Sequence, residues 1–152
     1  MSLGSLAVST QRVEAVPLAP IRRRTLVVDD SETILYVICS LLEHHDVVEV
    51  VGRADSGTQA VDSVLELKPD LVLMDADMPG MSGLRAALLL SQMAPATEVI
   101  LMSMDTSPRF RAACAGCGAK AVIYKPRFLR ELSALLERPL RPSRIEAIAQ
   151  EE

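Results

Sequence analysis

Short apolar runs alternate along this chain with segments whose apolar residues recur at helical spacing, and no other feature restricts the fold as strongly. The runs are Leu26–Val28, Val47–Val51, Leu71–Met74, Val99–Met102 and Ala121–Tyr124. Between them, Ile34, Val37, Ile38, Leu41 and Leu42 form a helical stripe, with Ser31 placed as its N-cap. Further stripes are Ala60, Val61, Val64 and Leu65, then Leu84, Ala87 and Leu88, and last Phe128, Leu129, Leu132, Leu135 and Leu136; Pro108–Cys117 is a shorter helix. Buried strands alternating with helices belong in a parallel sheet covered on both faces, with right-handed crossovers. The expected fold is α/β, a (βα)5 doubly wound parallel sheet of five buried strands. In such a sheet ligands sit outside the carboxyl ends of the strands.

The chain has 152 residues, 49% hydrophobic and 24% charged, enough for one domain with short extensions. We divide it into a flexible leader, 1–23, a folded domain, 24–138, and a short tail, 139–152. A formal net charge of -4 leaves no broad basic face, which disfavours direct nucleic-acid binding, and Arg22-Arg23-Arg24 reads as a solvated edge. Three cysteines suit reduced thiols in a cytoplasmic protein. No stretch approaches the ~18 apolar residues of a membrane span, and residues 1–10 lack an export signal.

Chemistry-bearing residues follow the runs. The first ends in Asp29-Asp30, the third in Asp75, the fourth in Ser103 and the fifth in Lys125-Pro126, so a parallel sheet carries all of them to one rim. Grouped carboxylates repel unless a cation joins them, and a hard, oxygen-seeking magnesium ion meets that demand. A carboxylate so placed can attack phosphorus if the metal and a lysine take up the phosphoryl charge, and Asp75, before the tight loop Met78–Gly83, is the expected nucleophile.

VVDD at 27–30, LVLMDADMPGMSG at 71–83, Ser103 after VILM, and Lys125-Pro126 together resemble the receiver domain of two-component response regulators. The resemblance covers about residues 24–138, with spacings of 45 from Asp30 to Asp75, 28 to Ser103 and 22 to Lys125. It implies a flavodoxin-like, CheY-like fold with strand order 2-1-3-4-5, and a signalling switch in place of an enzyme. Asp75 would accept a phosphoryl group from a sensor histidine kinase or a histidine phosphotransfer protein. Asp30 and Asp75 would bind Mg²⁺ directly, together with the backbone carbonyl at Asp77, while Asp29 would act through water. Lys125 would contact the phosphoryl group, Ser103 would be the switch hydroxyl, and the Lys125–Pro126 bond would be cis. Output would be altered binding to a downstream protein. The stretch from Val50 to Asp75 is most like receivers that precede a helix-turn-helix domain, yet too few residues follow Arg138 for such a module, which suggests a stand-alone receiver or a piece of a longer protein.

Some positions depart from the family pattern. Val122 stands where receivers carry an aromatic switch residue; Tyr124, two residues on, is a substitute ring or ordinary edge packing, the latter being the simpler account. Bulky Met104, followed by Asp105, stands where the family commonly has a small residue after the hydroxyl. Cys114-Ala115-Gly116-Cys117 has redox spacing but falls at a helix end, so packing is favoured, and His44-His45 has no spacing that joins it to those thiols as a zinc site. Residues 84–90 are apolar around most of a helix, which allows contact with a second copy of the chain, although heavy burial is simpler. Leu71–Asp77 also fits the hhhhDxD signature of haloacid-dehalogenase-like phosphatases, but those carry their acidic pair after the lysine, and here Asp29-Asp30 comes first.

Overall fold

The computed structural model describes residues 21–137 together with Gly4. The rest of the expected leader up to residue 20 and all of the tail, 139–152, lie outside the described residues. The elements run in the order β1 (Arg23–Val28), α1 (Glu32–Glu43), β2 (Val48–Ala54), α2 (Gly57–Leu67), β3 (Leu71–Asp75), α3 (Gly83–Met93), β4 (Glu98–Ser103), α4 (Pro108–Gly116), β5 (Ala121–Tyr124), a 3-10 turn (Lys125–Arg127) and α5 (Phe128–Leu136). All strand pairs are parallel, in the order β2-β1-β3-β4-β5. The doubly wound parallel sheet is the one expected from the alternation of runs and stripes, and its strand order is the CheY-like one that the family resemblance implies.

Period-two alternation divides the strand side chains between two cores. Leu26, Val28, Val72, Met74, Val99 and Leu101 face one side, where α2, α3 and α4 cover them. Val27, Leu71, Leu73, Ile100, Met102 and Ile123 face the other, under α1 and α5. β1, β3 and β4 are buried almost throughout, whereas the edge strands β2 and β5 are only partly so, correcting the expectation of five fully buried strands.

The helical stripes are right as helices, and in part wrong as faces. α1 buries Leu35, Ile38, Cys39 and Leu42, while Val37 stays 46% exposed. Apolar residues occupy so much of this helix that periodicity alone does not select the seam; its crossing position on the sheet does. α3 likewise buries Ala86, Ala87 and Leu90 and leaves Leu88 45% exposed, so burial accounts for only part of its broad apolar surface.

Four helices begin in the same way. Ser31, Ser56, Ser82 and Ser107 each accept a hydrogen bond on the side-chain oxygen from the amide three residues on, satisfying a donor that the first helical turn leaves without a partner. The end of α2 is less regular: Lys68 takes the left-handed conformation at φ 48°, which favours glycine. The Arg24 guanidinium donates to the carbonyls of Leu67 at 2.8 Å and Lys68 at 3.0 Å. Arg24 is therefore a cap on a neighbouring helix and not the solvated edge that its place in a basic run suggested. Lys68→Gly relieves the left-handed strain while leaving those carbonyls in place, and is expected to stabilise the fold by about 0.5 kcal/mol, read as a higher urea midpoint.

Cys39, Cys114 and Cys117 are free and buried. The Cys117 thiol donates to the Cys114 carbonyl at 2.9 Å, and both side chains belong to the core under α4, as the packing account expected. No helix among the described residues is long and apolar enough to cross a membrane.

Candidate functional site

Parallel register brings the polar residues together. Val28 pairs with Met74, so Asp29 and Asp75 emerge side by side as β1 and β3 end. Asp75 pairs with Met102, and Ser103 with Tyr124, which sets Ser103 and Lys125 at the same edge of the sheet. Asp29 and Ser103 are fully buried and Asp75 nearly so, whereas Asp30 is exposed.

Asp29, Asp30 and Asp75 each offer an oxygen, and these oxygens lie within 4.8 Å of one another. Lys125 reaches into this group: its Nζ donates to Asp29 Oδ2 at 2.9 Å and lies 3.4 Å from Asp75 Oδ2. The remaining carboxylate oxygens are held by the loops. Ser31 N–H donates to Asp29 Oδ1 at 2.9 Å, and Asp77 N–H to Asp75 Oδ1 at 3.1 Å. Ser103 Oγ accepts the Asp105 amide at 2.9 Å.

The charges are unequal. Burial raises the Asp75 carboxyl above the ordinary range, and the Asp29 charge adds to this, against the opposing pull of the Asp77 amide and of Lys125. Burial by itself would lower the Lys125 ammonium, but its hydrogen bond to Asp29 and the charge of Asp75 outweigh that and raise it. Three carboxylates against one ammonium leave a negative excess that a divalent cation balances. All the donors are hard oxygens and one of them, Asp30, faces solvent, where a cation can keep water ligands; the residues present fit Mg²⁺. Among the described residues this is the only group of three or more acidic, histidine or cysteine side chains so gathered, and neither His44-His45 nor the two α4 thiols belong to it. The Asp77 side chain is exposed and outside the group; what the family resemblance asks of that residue is its backbone carbonyl.

Two expectations need correction or narrowing. No cis peptide occurs among the described residues, so Lys125–Pro126 is trans. Pro126 is the second residue of the Lys125–Arg127 turn, at a helix start where its fixed φ and missing N–H are tolerated. Tyr124 is tied to the start of α5, in keeping with the edge-packing account: its amide donates to Glu131 at 2.7 Å, and the Arg127 guanidinium sits 5.8 Å from the ring centroid. Val122 packs instead at the margin of the core on the α4 side, and the half-buried ring of Phe110 packs against the same core.

Two sets of contacts escaped sequence reasoning, one at Gly83 and one at Asp105, a residue already singled out beside the hydroxyl. Gly83, the first residue of α3, lies against the backbone of Asp75 and Ala76 so closely that a Cβ would stand 2.8 Å from Ala76 Cα. The Gly-Met-Ser-Gly loop hinted at a turn, not at this contact. Asp105 accepts the Ser107 amide at 2.8 Å, which lowers its carboxyl pKa, and its own amide holds Ser103.

The family model for the response regulator receiver domain matches residues 25–137. Among curated proteins, the chain is 37% identical over 109 residues to Response regulator GacA of Pseudomonas viridiflava, covering 72% of this chain and 51% of that one. It is 39% identical over 104 residues to protein-glutamate methylesterase/protein-glutamine glutaminase 1 of Geobacter sulfurreducens, covering 68% of this chain and 28% of that one. The chain thus spans about half or less of the length of these relatives. The crystal structure of the response regulator domain of Thermotoga maritima CheB superposes with a TM-score of 0.68 at 33% identity, over 77% of this chain and 92% of that one. With the family match spanning most of the chain, and the five-stranded order and acidic rim agreeing with it, this chain belongs to the response regulator receiver domains, the phosphorylation-based signalling switches of two-component systems.

Proposed function

We propose that Asp75 accepts a phosphoryl group from a phosphohistidine on a sensor histidine kinase or a histidine phosphotransfer protein, and that the phosphorylated form signals by altered binding to a downstream protein in the cytoplasm. The observation that carries this reading is Lys125 Nζ set between Asp29 and Asp75, at 2.9 and 3.4 Å, beside the solvent-facing Asp30. A buried carboxylate, an ammonium paired with it and a solvent-facing carboxylate on one rim support it.

Asp30, Asp75 and the Asp77 carbonyl would hold Mg²⁺ directly and Asp29 through water. The bound ion would neutralise phosphoryl oxygens as transfer proceeds. An oxygen of Asp75 attacks phosphorus as the N–P bond breaks, and the electron pair returns to the imidazole, which takes a proton. The Asp77 amide, donating to Oδ1, leaves Oδ2 as the oxygen facing Lys125 and therefore the better-placed nucleophile. Lys125 then meets the new phosphoryl charge without leaving the site, and Ser103, buried at the adjacent strand end, donates its hydroxyl to a phosphoryl oxygen. In our division of the chain the receiver runs to 138 and its start moves from 24 to Arg23, the first residue of β1.

The test is intact mass after incubation with Mg²⁺ and a small acyl-phosphate donor. One hydroxylamine-labile phosphoryl adduct is expected, and chelation of the metal before addition of the donor is expected to reduce its rate of formation by roughly 100-fold. A stable adduct, or one formed equally fast in chelator, would overturn the reading.

A further inference from the structure

Receivers with a ring on the fifth strand have an evident path from the switch hydroxyl to the surface, and in this chain that position is Val122. The β4–α4 connection offers a continuous alternative. Asp105 N–H donates to Ser103 Oγ at 2.9 Å, Ser107 N–H donates to Asp105 Oδ1 at 2.8 Å, and Phe110 N–H donates to Ser107 Oγ at 3.2 Å. Three successive hydrogen bonds thus join a fully buried hydroxyl at the phosphoacceptor rim to the first turn of α4.

The end of that path is suited to move. α4 buries only Cys114 as a full core residue, so few contacts anchor it to the sheet. Its first turn carries Phe110, half-buried against the same core that Val122 reaches. A shift of the N-cap therefore displaces the one aromatic ring on α4, which packs against the same core cluster as Val122.

We propose that Asp105 is a positioning residue that couples Ser103 to α4, so that in this chain the phosphorylation signal leaves through the Ser103–Asp105–Ser107–Phe110 hydrogen-bond chain and not through a ring on β5. The inference rests on phosphoacceptance at Asp75. When Ser103 turns toward a phosphoryl group, its Oγ moves between staggered positions, by about 2 Å, and no longer meets the Asp105 amide. The loop then closes differently, Asp105 Oδ1 withdraws from Ser107, and the N-cap of α4 loosens. No bond is made or broken beyond hydrogen bonds and the acyl phosphate already formed.

The test compares the natural chain with Asp105→Ala and Asp105→Asn by amide hydrogen exchange over 107–116, each with and without the acyl-phosphate donor, at adduct occupancy matched by intact mass. Asparagine keeps the accepting oxygen and removes the charge; alanine removes both. Phosphorylation is expected to speed exchange in the first turn of α4 by about fivefold in the natural chain and in Asp105→Asn. In Asp105→Ala exchange is expected to be fast already and to change little. An Asp105→Ala chain that responds as fully as the natural one at equal occupancy would overturn the relay while leaving phosphoacceptance intact. Absence of any adduct on the natural chain would overturn the phosphoacceptor reading, and the relay with it.

Discussion

Asp75→Asn is expected to lower formation of the labile adduct by roughly 10³-fold or more, because the amide oxygen is neutral and a far weaker nucleophile than a carboxylate. The substitution is nearly isosteric, so its effect reads chemistry and not packing. The fold itself is expected to survive. In the natural chain, burial and the Asp29 charge raise the Asp75 pKa, which means that its ionised form is held at a cost in the metal-free protein. The sign follows from linkage: a carboxyl whose folded pKa lies above its unfolded value favours folding when protonated, and that advantage falls away as pH rises. At neutral pH a neutral asparagine removes the cost, so the metal-free variant should unfold at the same urea concentration or a higher one. Intact mass with hydroxylamine and a urea titration together check both halves. An adduct persisting on Asp75→Asn would place the phosphoacceptor elsewhere, and sustained multiple-turnover release of phosphate would point to a phosphatase.

Gly83→Ala should show the second large effect, and its sign runs against helix propensity. Alanine in place of glycine inside a helix is ordinarily favourable by about 1 kcal/mol. Here the added methyl would overlap the Asp75 carbonyl oxygen and stand 2.8 Å from Ala76 Cα, and both neighbours are backbone atoms of the acidic rim. The Gly83 amide also donates to the Ala76 carbonyl at 3.0 Å, so α3 cannot slide away without losing that bond. We expect destabilisation by about 3 kcal/mol and, in the fraction that folds, slower phosphorylation because Asp75 is pushed from its register beside Asp29. Gly80→Ala is the contrasting control: the space there is open, and its φ of +75° makes the cost one of backbone conformation alone. A Gly83→Ala chain with the natural urea midpoint and adduct rate would refute the close-contact account.

The strand runs were legible because a central parallel strand is apolar on both faces, and β3 and β4 match their runs to within a residue at each end. β2 was less legible: it begins one residue later and runs three residues further than its run, since an edge strand tolerates Gly52 and Arg53 that a central one would exclude. Asp29, Asp30, Asp75, Ser103 and Lys125 were legible as rim residues for a topological reason. When all strands are parallel, every residue that follows a strand emerges at the same end.

Order and type along the chain therefore determined the elements, the doubly wound sheet and the set of side chains on its carboxyl edge. Only the tertiary structure decided which helix face meets the sheet, because α1 and α3 are apolar over more of their surface than one seam can bury. It also decided the contacts between distant segments: Arg24 on the end of α2, Lys125 between Asp29 and Asp75, and Gly83 against the backbone of Asp75. The trans Lys125–Pro126 bond and the Ser103–Asp105–Ser107 chain were likewise decided in space. Periodicity reports local burial tendency, whereas such contacts depend on register, crossing angle and the closing of loops, which are settled only when the elements pack.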